Sequence, residues 1–230
     1  RMPDKQANGT KAATGGGSKA ENAPKERFKP VQLTTAFSDV VLALLCWYCV
    51  ALFVDVGRNM EAAFLSVVAL AASVGVLRFS GVTAVKGLHS TLSVFGGQAL
   101  SLLAIAFWTD NDNVPVDRTK RLLMATLIVA ICVVGCMLMR LPDFIEGLQM
   151  FVGGISMIMM IYKGATILWP EESGRLAIVG AGTVMMTGIT VGTEGTMLGV
   201  PRVDLFHYLL VWAIWHMTLA FLAIDGKLPN

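Results

Sequence analysis

The sequence predicts an all-α membrane protein, a bundle of about seven transmembrane helices, from its composition, the lengths of its apolar blocks and the breakers between them. Of its 230 residues 55% are apolar and 15% are charged, and the mean hydropathy is +0.65. A soluble domain carries about a quarter charged residues, so lipid is the expected solvent. The apolar residues come in blocks near the ~20 residues that cross a hydrocarbon core. A single span in lipid has to satisfy its own backbone hydrogen bonds, so each block reads as a helix.

The expected spans are 32–56, 61–78, 84–108, 120–140, 145–163, 174–193 and 204–225. Gly57, the run TDNDNVPVD at 109–117, Pro142, Pro170 and GTEGTMLGVPR at 192–202 separate them. The second and sixth spans are short and weakly marked, which leaves a six-helix count open. Residues 31–230 thus form one polytopic domain behind a polar, basic, low-complexity tail at 1–30. That tail holds seven Lys and Arg against three Asp and Glu, whereas the remainder holds eleven against thirteen. It has no apolar periodicity and too little apolar content to offset the entropy of ordering. It is therefore expected to be extended and ordered only by contact with other chains. It opens on Arg1 and lacks the apolar core of a secretory signal. We read this as a processed or truncated N-terminus, and as pointing to an organelle membrane, such as the mitochondrial inner membrane, ahead of the secretory pathway. The basic tail places the N-terminus inside under the positive-inside rule, although the loop charges alone argue the other way.

All four cysteines fall in apolar blocks, Cys46 and Cys49 in the first and Cys132 and Cys136 in the fourth, which favours packing over a disulfide or metal role. Small residues at Gly96-Gly97, Gly153-Gly154, Gly180, Gly182 and Gly188 read as seams where helices approach closely. The Met-rich SMIMM at 156–160 reads as gap-filling core.

Ionisable side chains inside the spans are few, and burying one in lipid is costly enough that each is a functional candidate. They are Asp39, His89, Asp204, His207 and His216. Odd-numbered helices of an up-and-down bundle begin on the same side, so Asp39, His89, Asp204 and His207 belong to one leaflet. His216 is nine residues past His207, about half a turn round the helix and ~13.5 Å along it, so it faces away. Asp204 and His207 are three apart and share a face, which lets the carboxylate orient the imidazole or join it as a ligand. Alternatively Asp204 caps the last helix. Ser38-Asp39 has a double reading too. With a helix start near Val31 the carboxylate is about 12 Å deep and needs a partner; with a start near Ala36 it is interfacial.

The last span, VDLFHYLLVWAIWHMTLAFL at 203–222, resembles the final helix of the seven-helix superfamily of alkaline ceramidases and progestin and adiponectin receptors. That helix carries a zinc-binding His-x-x-x-His with an aromatic before the second histidine. The segment LTTAFSDVVLALL at 33–45 is similar to an early Ser- and Asp-bearing helix of some bacterial relatives. The resemblance implies a zinc-dependent hydrolase of membrane lipid amides or esters. Residue by residue it carries over in part. His207 matches the second histidine, the first falls on Val203, and the remaining zinc histidine falls around Arg78 or Phe79. A catalytic zinc takes three protein ligands and an open position, so an enzyme here would need a replacement set of His89, Asp204 and His207, with Ser38 and Asp39 as catalytic partners.

Other chemistries have less support. The chain has no P-loop, nucleophile elbow, His-Glu-x-x-His or dinucleotide fingerprint. Lys86 and Lys163 lie at span ends, away from where a retinal Schiff base would sit. Nothing points to nucleic acid. The expected function is accordingly a non-catalytic membrane protein, an accessory subunit of a larger complex, whose partners are membrane lipids and the subunits that contact its tail. No cofactor is expected; the alternative is the zinc-dependent lipid hydrolase.

Overall fold

The computed structural model describes residues 32–109, 123, 127, 130, 134 and 142–228. The tail at 1–30, Cys132, Cys136 and most of the expected span 120–140 lie outside the described residues. Six helices are described: α1 (Leu33–Asp55), α2 (Asn59–Phe79), α3 (Lys86–Thr109), α4 (Pro142–Thr166), α5 (Glu172–Thr190) and α6 (Arg202–Ile224). A short 3-10 turn, Thr83–Val85, leads into α3, and a two-stranded ribbon, β1 (Thr196–Met197) with β2 (Val200–Pro201), leads into α6.

This corrects the expectation of about seven transmembrane helices. Among the described residues four helical segments are long and apolar enough to cross a membrane: Leu33–Asp55, Asn59–Phe79, Thr83–Thr109 and Arg202–Ile224. The apolar part of α4, Met150–Thr166, is shorter than a span. In α5, Glu172 and Arg175 and a run of Gly and Thr lower the hydropathy of a 19-residue helix. Apolar blocks in sequence reveal helices, but Gly-rich and Thr-rich helices satisfy their backbones equally well without being hydrophobic enough to count as spans. The protein is a helical, membrane-embedded protein.

Each helix packs on its neighbour in sequence, and α1 closes on α6, so the six described helices form a ring. Leu100 meets Gly153, and Trp108 Nε1 donates to the Met159 carbonyl, so α3 and α4 run parallel. The interior is apolar: Phe53, Phe64, Leu65, Leu103, Ile214 and Met217 pack across its middle too tightly to admit water. Leu44, Leu70, Phe151, Ile158, Ile189 and Trp212 point outward as an apolar belt.

One end of the ring is held by charge. Gly57 adopts φ +76°, a left-handed turn that a side chain would strain, and thereby ends α1 and sends Arg58 back beneath it. Arg58 is 1% exposed; its Nε and Nη2 donate to the Asp225 carboxylate at 2.7 Å each, and its Nη1 donates to Glu61 at 2.7 Å. Its guanidinium also lies over Phe221, which packs edge-on against Phe53 and Phe107. Lys163 of α4 donates to the Phe107 carbonyl of α3 at the same end. A bidentate arginine bond to a carboxylate is strong, and truncating this buried arginine breaks its bonds to both Asp225 and Glu61. Arg58→Ala is expected to lower stability by about 3 to 5 kcal/mol, measured by unfolding in detergent.

Lipid tails supply no hydrophobic drive between helices, so close approach at small residues holds them together. Gly164 and Gly174 face each other so closely that a Cβ on Gly174 would lie 2.7 Å from the carbonyl oxygens of Gly164 and Leu168. A Cβ on Gly180 would lie 2.9 Å from the Ala213 carbonyl oxygen. Gly182 and Gly188 have open space instead, so only part of the expected glycine seam is a seam. Gly174→Val is expected to destabilise by about 1 to 3 kcal/mol through overpacking, whereas Gly182→Ala should not destabilise; thermal melts of the two variants beside wild type check the contrast.

Candidate functional site

Opposite the Arg58 end, the first turns of α1, α3 and α6 meet the last turn of α2. The Gln32 N–H donates to the Phe79 carbonyl at 3.1 Å and pins the start of α1 to the end of α2. Because α1 begins at Leu33, Asp39 is six residues in, about 9 Å along the axis. That is between the two depths allowed by the sequence, and the side chain is 1% exposed. Its Oδ1 lies 3.2 Å from His207 Nδ1 of α6, and Ser38 Oγ lies 3.0 Å from the same nitrogen.

The proton positions follow from the partners. Ser38 Oγ donates to the Thr35 carbonyl at 2.9 Å, so its proton is already committed. His207 Nδ1 is therefore the donor toward Ser38 and Asp39, and Nε2 keeps the lone pair. Arg78 Nη1 lies 2.7 Å from His89 Nδ1. Arginine only donates, so that nitrogen accepts and the His89 proton sits on Nε2. The Arg78 guanidinium also covers Phe79, and Phe79 meets the His89 ring edge-on.

Gly75 makes room for this arrangement. A Cβ there would overlap Asp39 Oδ2, approach Asp39 Cγ to 2.8 Å and His89 Nε2 to 3.0 Å. The carboxylate and the second imidazole thus converge over a bare backbone on α2. Asp204, in the first turn of α6, is 2% exposed. Neither of its oxygens accepts a hydrogen bond, and α6 has no side-chain cap, so Asp204 does not act as a hydrogen-bonding cap.

Ser38, Asp39, His89, Asp204 and His207 therefore all lie at one end of the ring. His216 lies further along α6 with its ring tilted against Trp212, and its Nδ1 donates to the Trp212 carbonyl at 2.9 Å. Cys46 and Cys49 are free and fully buried in α1. Arg78 and Gly75 are site residues that sequence reasoning missed. A glycine three residues before an arginine at the end of a span would have been the signal, since the pair occupies one helix face beside the expected acids.

The residues do not fit a zinc centre. Among the described residues no three His, Cys, Asp or Glu side chains gather as a metal would need, so His89, Asp204 and His207 are not brought together as ligands. His89 Nδ1 is turned to Arg78 and His207 Nδ1 to Ser38 and Asp39. No protein-family model, curated protein or solved structure matches the chain. The resemblance to the alkaline ceramidase and progestin and adiponectin receptor superfamily is thereby withdrawn. It rested on two short segments and a helix count, and a likeness at that level does not by itself imply a shared function.

Gly75→Ala is expected to push Asp39 off His207 and to destabilise the protein by about 1 to 3 kcal/mol. The check is a thermal melt of the variant beside Gly182→Ala, whose added methyl meets open space.

Proposed function

We propose that this is a non-catalytic integral membrane protein whose polar cluster at the α1, α2, α3 and α6 ends is a binding centre facing the membrane interface, with lipids as its immediate partners. The observation that carries this reading is the double use of His207 Nδ1 by Ser38 Oγ at 3.0 Å and Asp39 Oδ1 at 3.2 Å. A nucleophile relay needs the serine on one ring nitrogen and the acid on the other, so that the imidazole can take the serine proton while the acid holds it in place. Here both contacts fall on one nitrogen, and the serine proton points to the Thr35 carbonyl. That geometry favours a fixed polar frame over an activated hydroxyl. The belt of outward-facing Leu44, Leu70, Phe151, Ile158 and Ile189 supports contact with acyl chains.

The expectation of an accessory-subunit role is set aside. It rested on contacts of the tail at 1–30, which lies outside the described residues, and nothing in the described ring specifies a partner subunit.

The hydrolase reading keeps one observation in its favour, the gathering of Ser38, Asp39, His89, Asp204 and His207 at one end, and it is separable by experiment. Purified protein is expected to hold no stoichiometric zinc and to turn over neither ceramide nor acyl esters, while His207→Ala lowers stability. One zinc per chain, with turnover lost in His207→Ala, would overturn the proposal.

A further inference from the structure

Buried polar side-chain atoms without hydrogen-bond partners are unevenly placed. Among the described residues they are Thr35 Oγ1, Asp39 Oδ2, Arg202 Nε and both oxygens of Asp204, with Gln98 Nε2 apart in α3. All but Gln98 lie in the first two turns of α1 or the first turn of α6, the two helix ends that His207 joins. Thr35 and Asp39 are four residues apart and share a face of α1. Asp204 and His207 are three apart and share a face of α6. Carboxylate oxygens buried without donors are expensive, and in a membrane such groups mark the places where something binds.

We propose that Asp39 and Asp204, with the Thr35 hydroxyl one turn before Asp39 on α1, bind a primary ammonium group, and that the headgroup of an aminophospholipid supplies it, with its phosphate toward Arg202. Three unbonded carboxylate oxygens call for N–H donors, and a primary ammonium brings three of them with a charge that strengthens each bond. A quaternary ammonium brings none and is bound by aromatic faces instead. A hard metal ion asks for six or more oxygens, whereas no three His, Cys, Asp or Glu side chains gather among the described residues. Arg202 Nε is a donor without an acceptor at the same helix end, and a guanidinium matches phosphate geometry. Asp39 and Asp204 both lie within about 10 Å of their helix starts, the depth of the polar interface. The cations around them are otherwise engaged: Arg78 is on His89 and over Phe79, and His207 is on Ser38 and Asp39.

This rests on the cluster being a binding centre, so binding and turnover are recorded in one experiment. The full chain in non-ionic detergent is titrated with phosphatidylethanolamine, with phosphatidylcholine of the same acyl chains and with free ethanolamine. Native mass spectrometry reads bound lipid, and thermal unfolding reads stabilisation. Phosphatidylethanolamine is expected to bind about tenfold more tightly than phosphatidylcholine, a difference of one decade in Kd, and to raise Tm. Folded Asp204→Asn is expected to lose that preference; should it fail to fold, Asp39→Asn and the wild-type lipid ratio carry the test. Competition by free ethanolamine shows that the ammonium alone suffices, and lack of competition assigns the site to the whole headgroup; both agree with an ammonium site once the lipid preference holds. Equal binding of the two lipids by wild type, or a preference retained in folded Asp204→Asn, overturns the proposal. Hydrolysed lipid in the spectra overturns the non-catalytic reading alone, because the preference between headgroups is read from the intact species.

Discussion

The guanidinium of Arg58 holds the ring closed, and the candidate site depends on that closure. It is 1% exposed, grips Asp225 with two nitrogens and Glu61 with a third, and lies over Phe221. Those contacts join the turn between α1 and α2 to the last residues of α6. Since α1 and α6 are the first and last helices described, nothing in chain connectivity holds them side by side. At the far end of the same two helices, Ser38 and Asp39 meet His207. A fork of hydrogen bonds at one end therefore sets the register in which two carboxylates and an imidazole come together at the other.

Between the ends the protein keeps its interior apolar. Phe53, Phe64, Leu65, Leu103, Ile214 and Met217 fill the middle, and the buried charged groups Asp39, Arg58, Glu61, Lys163 and Asp204 lie near the two ends. At the Arg58 end Asp225 and Glu61 accept from the guanidinium, whereas the His207 end leaves Asp39 Oδ2 and both oxygens of Asp204 without donors. This asymmetry supports the proposal that the His207 end is a site, because membrane proteins gain nothing in stability from buried carboxylates that lack partners.

Membrane character was legible in the sequence because hydropathy is additive along a chain, and α1, α2, α3 and α6 appear within a few residues of the spans read from it. The helix count failed where apolar content and helix formation part company, in α5 with its Gly174, Gly180, Gly182 and Gly188 and in the polar first turns of α4. Ser38, Asp39, His89, Asp204 and His207 were legible as candidates because ionisable groups are rare in apolar blocks. Gly75 and Arg78 were not, since a glycine at a close approach looks like any other glycine until its neighbour is known. The ligand geometry of the alternative zinc reading was not legible for a related reason: helix periodicity locates a residue on a face and a level, but not where its ring nitrogens point.

By itself the sequence determined that the chain lives in lipid, that its apolar blocks are helical and that its few internal charges lie near helix ends. Those properties depend on single residues and local spacing, and they survive any arrangement of the helices. Only the tertiary structure decided that α1 closes on α6, that Arg78 takes one nitrogen of His89, that Ser38 and Asp39 share one nitrogen of His207, and that Asp204 is left without a partner. Each of these is a contact between helices far apart in sequence, and its geometry is set by the direction of an individual side chain at a packed interface, which hydropathy and periodicity do not encode.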